Sequence, residues 1–324
     1  NMPDYASRGL LHPLGGEFET VGIDPSDWTD PARDAVTYEG ELVGVPFDLH
    51  ANLYHVNVDL FKEAGLVDGD GNPILPGSRE EFMEHAQTMK DATGKDYFAT
   101  DASQFPIGVR LMFTLVWQQG SDLVAADGQS ATVDTPEGRE ALDFMLEMFD
   151  KGYANPEHNY DSSQQAFLNG EAAVLMNGTW VVDQYNREAS FEYRALDFPT
   201  LYDTPAVWAN SHMWAVPKQS DDAKYEAATQ FLKFLYDHVH DWSAGTGHLA
   251  TRKSVLTSSE MASVPQRENY ANTANIAKLV PAIVNWQAVE DILKEELEST
   301  WLTGKDPARA LADAEDRIND QLGQ

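Results

Sequence analysis

Phe167–Tyr185 reads FLNGEAAVLMNGTWVVDQY. Its apolar run, Ala172–Met176, has the length of a short buried strand, and the Asn177-Gly178 pair behind it is a turn signal. Trp180 stands two residues beyond that pair. The largest side chain therefore follows a strand end, where it serves either as core or as a flat surface for a ligand.

Working outward, helices announce themselves by their caps. Ser78-Arg79-Glu80-Glu81 has the form of a capping box, with Phe82, Ala86 and Met89 at helical spacing behind it. Thr135-Pro136 predicts an N-cap and first turn, with Leu142, Met145, Leu146 and Phe149 on one face and Gly152 as the stop. Ser220 is expected to open a helix bearing Ala227, Phe231, Leu232 and Leu235. Another runs from Trp286 to Gly304, and Asp306-Pro307 starts the last. Short β-like runs lie between them, at Leu42–Val45, Leu53–Val56, Ala172–Met176 and Met213–Val216. Helices alternating with short apolar strands predict an α/β architecture. No Pro- or Ser-rich tether divides the chain, so two lobes would be joined by strands that cross between them.

The 324 residues can bury a sizeable core and favour two lobes over one. Lys and Arg number 22 against 53 Asp and Glu, a formal net charge of -31. That field repels phosphate backbones and argues against a nucleic-acid partner. There is no cysteine, which excludes disulfides, thiolate nucleophiles and Cys-ligated metals.

The chain carries no G-x-S-x-G elbow, no phosphate-cradling P-loop and no H-E-x-x-H. His238-Val239-His240, with His248 nearby, invites a metal reading. Residues two apart on a helix do not share a face, however, and no carboxylate completes the spacing, so no metal is expected. Asp68-Gly69-Asp70-Gly71-Asn72 begins like a calcium loop but has Arg79 where the bidentate Glu belongs, so a polar turn is the better reading. What stands out is aromatic residues beside polar ones: Trp117-Gln118-Gln119, Trp180, Trp208-Ala209-Asn210-Ser211-His212 and Asn285-Trp286. A sugar ring has an apolar face and a hydroxyl rim, so a carbohydrate site pairs a flat ring with hydrogen-bonding groups.

Five stretches then carry a family resemblance: GVPFDLHANLYHVNVDLFKEAGL (Gly44–Leu66), Phe167–Tyr185, HMWAVPKQSDDAKYEAATQFLKFL (from His212), GHLATRKSV (from Gly247), and Gly304-Lys305-Asp306-Pro307 with Ala310-Leu311. In order and over nearly the whole chain, they resemble the extracellular solute-binding proteins that deliver sugars to ABC transporters, the maltose-binding-protein group. Ala250 replaces the usual proline of the Leu-Pro-x-Arg turn. The family's first strand and helix have no counterpart here, so the sequence is expected to be N-terminally truncated.

The resemblance implies a two-lobed α/β periplasmic-binding-protein fold with hinge strands and a ligand cleft between the lobes. The implied boundaries are 1–50 with 212–265 for the N-terminal lobe, and 51–211 with 266–324 for the C-terminal lobe. Implied ligand contacts are Asp48, His50, Asn210, Ser211 and His212, ring stacking on Trp180 and Trp286, and Arg110 and Trp117 in a variable region. The implied role is a carbohydrate receptor without catalytic residues or cofactor, partnered by the transmembrane subunits of an ABC importer. It would be a monomer, extracellular or periplasmic, and lipid-anchored. A polyol, a glycerophosphodiester or a peptide is the alternative ligand, and a glycoside hydrolase the alternative class.

Overall fold

The computed structural model describes residues 2–323. Its strands are β1 (Thr37–Tyr38), β2 (Glu41–Leu42), β3 (Val45–Pro46), β4 (His50–Asn57), β5 (Asp96–Ala99), β6 (Ala172–Gly178), β7 (Tyr193–Leu196), β8 (Val207–Asn210), β9 (Met213–Trp214) and β10 (Ala277–Leu279). The chain divides into two compact units: residues 1–51, 179–183 and 209–286, and residues 52–178, 184–208 and 287–324.

The first unit is helical with short strand pairs. Leu14, Phe18, Ile23, Trp28, Val36, Val45, Val216, Leu232 and Tyr236 form its core, with Phe18 edge-on to Trp28 at 5.4 Å. β1 and β2 make a hairpin through Glu39 and Gly40, both at positive φ, as a two-residue loop of this hand requires. β3 pairs with β9, and the first two residues of β4 pair with the last two of β8. The 16-residue helix Asp222–Asp237 is capped by the Asp221 carboxylate, which accepts from Lys224 N, and not by Ser220 as expected. An aspartate acceptor also suits the positive end of the helix dipole.

Where sequence reading ended this lobe at 265, the unit runs on to Trp286 and takes in 179–183. Arg267 supplies the reason. Its buried guanidinium donates to the Asp183 carboxylate at 3.1 Å and to the carbonyls of Ser243 and Ala244. Tyr270 donates its hydroxyl to Gly247 O at 2.8 Å. Both bonds fasten segments distant in sequence to one body.

The second unit is built on β4, flanked by antiparallel β6 on one side and β7 on the other, with β5 parallel to β6. Every residue of β4 and β6 is buried, the pattern of strands covered on both faces. Arg79–Thr93 and Tyr160–Leu168 pack on the strands of this unit, and Ile107–Gln118 and Pro307–Leu322 pack on the helix Pro136–Asp150. Ser78, Thr135 and Asp306 cap theirs as the sequence predicts. The polar turn at Asp68 is present too, its carboxylate accepting from Asp70 N and Asn72 N.

Two expectations change here. Asn177-Gly178 is not a turn: β6 continues through it, with Asn177 opposite Leu53 and Gly178 opposite Asn52. The ladder that β4 offers overrides the local turn preference. The chain bends one residue later, in a 3₁₀ turn at Thr179–Val181 that leads into the helix Val182–Glu188. Trp117, expected at a ligand surface, is 2% exposed near the C-terminal end of an almost wholly buried helix, 5.1 Å from Phe113. Ile107–Gln118 is apolar all round because it is a core helix, and its tryptophan fills that core.

Candidate functional site

The site grows from a slip in strand register within the first unit. From Pro46 to His50 one strand advances four residues, while its partner advances three from Met213 to Asn210. The extra residue is a bulge, a device that re-aims side chains. Phe47 N still donates to His212 O at 2.7 Å, but Leu49 leaves that ladder and bonds Leu249 in both directions at 2.9 Å. Three chain segments thereby meet around Asp48, which has no exposed surface.

Asp48 is a hub for donors. His50 Nδ1 lies 3.0 Å from its Oδ1, and His212 Nδ1 lies 3.0 Å from both oxygens. His212 N donates to Oδ1 at 3.2 Å, and the Trp242 indole donates to Oδ2 at 3.0 Å. His248 Nε2 stands 3.9 Å from Oδ2, and its Nδ1 lies 2.9 Å from the Thr246 hydroxyl. Burial alone would raise the Asp48 pKa, but the bonds to His212 and His50 outweigh it and hold the carboxyl well below its usual range. A carboxylate only accepts, so the Nδ1 atoms of His50 and His212 carry protons. The hydrogen bond to Asp48 raises the His212 pKa, whereas burial pushes His248 down to about 4. His212 is exposed; Asp48, His50 and His248 are buried.

Aromatic rings surround this group. Trp180, partly exposed on its 3₁₀ turn, meets the His50 ring edge-on at 5.9 Å. Trp242 packs 4.8 Å from Phe47 and 5.6 Å from His248, and Trp214 is 5.5 Å from Phe47. Of the expected contacts, Asp48, His50, His212 and Trp180 come together. Asn210, Ser211 and Trp286 share a neighbouring groove of about 530 Å³ in the same unit, bounded also by Met213 and the stretch 277–283. Arg110 belongs to the second unit, its guanidinium stacked 3.9 Å over the Trp208 ring and 5.2 Å from Phe105. Burial pushes its pKa down to about 10, against the pull of Glu290.

Trp242 and His248 were missed as members of the site. No motif marks Trp242, which presents its indole from the helix Val239–Thr246. His248 drew notice only beside His238 and His240, which lie elsewhere: His238 ends a helix, stacked 4.1 Å from Phe234, and His240 is 3.8 Å from Glu260.

A family model described as bacterial extracellular solute-binding protein matches residues 1–269. A Brucella abortus (strain 2308) protein named as a binding protein is 24% identical over 331 residues, spanning 96% of this chain and 75% of its own. The sn-glycerol-3-phosphate-binding periplasmic protein UgpB of Escherichia coli (strain K12) is 25% identical over 305 residues, 87% of this chain and 68% of that one. Among solved structures, the cyclic alpha-maltosyl-1,6-maltose binding protein from Arthrobacter globiformis is 28% identical at a TM-score of 0.82, covering 99% of this chain and 82% of its own. No helix among the described residues is long and apolar enough to cross a membrane. On the family match and the shared α/β fold, the chain belongs to the bacterial extracellular solute-binding proteins, the receptors of ABC importers.

Proposed function

We propose that the chain captures a mono- or oligosaccharide outside the cell and hands it to the transmembrane subunits of an ABC importer. One observation carries this reading: the partly exposed Trp180 ring stands beside imidazoles held in place by a buried carboxylate. The ring suits the apolar face of a pyranose, and the His50 and His212 imidazoles, oriented by the buried Asp48 carboxylate, suit its hydroxyls. The groove with Asn210, Ser211 and Trp286 offers amide, hydroxyl and a second ring for further sugar units. The similarity to a maltosyl-maltose binding protein agrees with this class of ligand. The receptor binds without turnover, works as a monomer and is held at the membrane by a lipid anchor.

A second reading, a glycerophosphodiester or glycerol phosphate, is favoured by the UgpB relative. His212, with its raised pKa, would supply positive charge for the phosphate. A thermal-shift panel of mono- and oligosaccharides, glycerol 3-phosphate and glycerophosphocholine separates the two. The carbohydrate reading requires a rise in melting temperature with at least one sugar. A rise with the phosphate ligands alone would replace it. Chromatography of the incubated sugar is expected to return it intact; hydrolysis products would make the protein a glycosidase.

A further inference from the structure

Asp48, His50, His212 and His248 each offer one donor atom, and these four atoms lie within 4.8 Å of one another. We infer that they form a binding site for a single divalent transition-metal ion of the zinc class, taken by one nitrogen from each imidazole and a carboxylate oxygen. The ion displaces to solvent the Nδ1 protons that His50 and His212 otherwise donate to Asp48. The ion would take the same His50 and His212 imidazoles that the carbohydrate reading offers to sugar hydroxyls, so metal and sugar binding are measured separately.

The donor set is the first argument. Three imidazoles with one carboxylate suit zinc and its first-row neighbours, whereas magnesium and calcium prefer all-oxygen shells. Spacing is the second. Bonds of about 2.0–2.1 Å in a tetrahedron set donor atoms about 3.3–3.4 Å apart. The observed separations begin at 3.0 Å, between Asp48 and the Nδ1 atoms of His50 and His212, and none exceeds 4.8 Å. Side-chain adjustments of about an ångström, within ordinary rotamer play, close the set around an ion.

The donors are also firmly held. The reciprocal Leu49–Leu249 backbone bonds fix the residues on either side of them, Asp48 and His50 on one strand and His248 on the other. Trp242 steadies one Asp48 oxygen, and the Thr246 hydroxyl engages Nδ1 of His248, which turns Nε2 toward Asp48. Outer partners of this kind orient ligands in metal sites. The exposed His212 leaves the cluster open on one side, by which an ion can enter. In the sequence, Asp48 and His50 are two apart, while His212 and His248 lie far downstream, so no spacing motif announces the set.

Protein stripped with EDTA and desalted is titrated with Co²⁺, read by the visible absorption of tetrahedral cobalt, and with Zn²⁺ by calorimetry. Saturation at one ion per chain is expected, with Zn²⁺ displacing Co²⁺ and Mg²⁺ failing to. His212→Ala and His248→Ala should each weaken binding at least about tenfold, the scale of lost ligand support. His240→Ala should leave binding unchanged. His212 is exposed, so His212→Ala is the variant expected to fold, and circular dichroism with a melting curve checks each. Absence of saturable Co²⁺ and Zn²⁺ binding overturns the proposal. Equal affinity in a folded His212→Ala/His50→Ala variant also overturns it, assigning the ion to the acidic surface. Sugar binding measured on the EDTA-stripped protein tests the carbohydrate reading separately.

Discussion

β4 carries two histidines five positions apart, and they do opposite things. His50, at its start, faces the Asp48 carboxylate and a second, exposed imidazole. His55, inside the second unit, is wholly buried, with Nδ1 2.7 Å from the Tyr193 hydroxyl and Nε2 3.3 Å from the Asn177 carbonyl. A carbonyl only accepts, so Nε2 carries the proton and Nδ1 accepts from Tyr193. That neutral ring has a partner for each nitrogen, and burial pushes its pKa down to about 4. Residue type and strand are the same; what differs is whether the neighbours include a charge and a way out to solvent. One histidine belongs to a charged cluster that reaches solvent; the other is a satisfied piece of core.

The contrast breaks most visibly at His55. Replacing it with Ala opens a cavity and strands the Tyr193 hydroxyl, at a cost of about 3–4 kcal/mol in urea unfolding. Ligand affinity should hold where the variant remains folded. A cost below about 1 kcal/mol would mean that the His55 end is no more structural than the His50 end.

Acid sharpens the same contrast. The folded His55 pKa of about 4 lies below the unfolded value near 6.5, so the unfolded chain binds the proton first. This contribution is whole above about pH 6.5, shrinks as pH falls, and reaches its floor near pH 4, a loss of about 3 kcal/mol. Other groups titrate in that window, so the quantity to measure is the stability gap between wild type and His55→Gln, which should narrow as pH drops from 7 to 4. A constant gap would show that the buried ring takes up its proton as readily as a free one.

At the other end, Asp48→Asn puts amide hydrogens where His50, His212 and Trp242 all donate. We expect a loss of about 2 kcal/mol in stability, the cost of a donor left facing a donor, with ligand affinity falling as the imidazoles lose their anchor. An unchanged affinity would remove the Asp48 hub from recognition. Smallest is Trp180→Ala: a partly exposed ring should take about 1 kcal/mol from binding, several-fold in Kd, and little from stability. A drop in melting temperature with affinity intact would return Trp180 to the core.

Helix starts were legible because they are local. The caps at Ser78, Thr135 and Asp306 each need only a side chain and a backbone N–H three residues on. Asp48, His50, His212 and Trp180 were expected through family resemblance, and the structure assembles them as neighbours. Trp242 was illegible, since its indole reaches Asp48 from a helix nearly two hundred residues downstream. Trp117 misled for the converse reason: flanking glutamines look like a ligand surface, yet Gln118 turns inward and donates to the carbonyls of Pro199 and Ala206. Polar neighbours in sequence do not say which way a helix faces.

The sequence by itself determined the α/β alternation, the caps, the acidic character and the absence of cysteine chemistry, because periodicity, short-range hydrogen bonds and composition are properties of nearby residues. Only the tertiary structure decided that Asn177-Gly178 is strand, since β4 offers it a ladder that no local turn could match. Only the tertiary structure gathered three histidines and two tryptophans about one buried aspartate. A register slip of one residue on a single strand pair sets where that carboxylate sits, and the groups that answer its charge come from segments that only folding brings near.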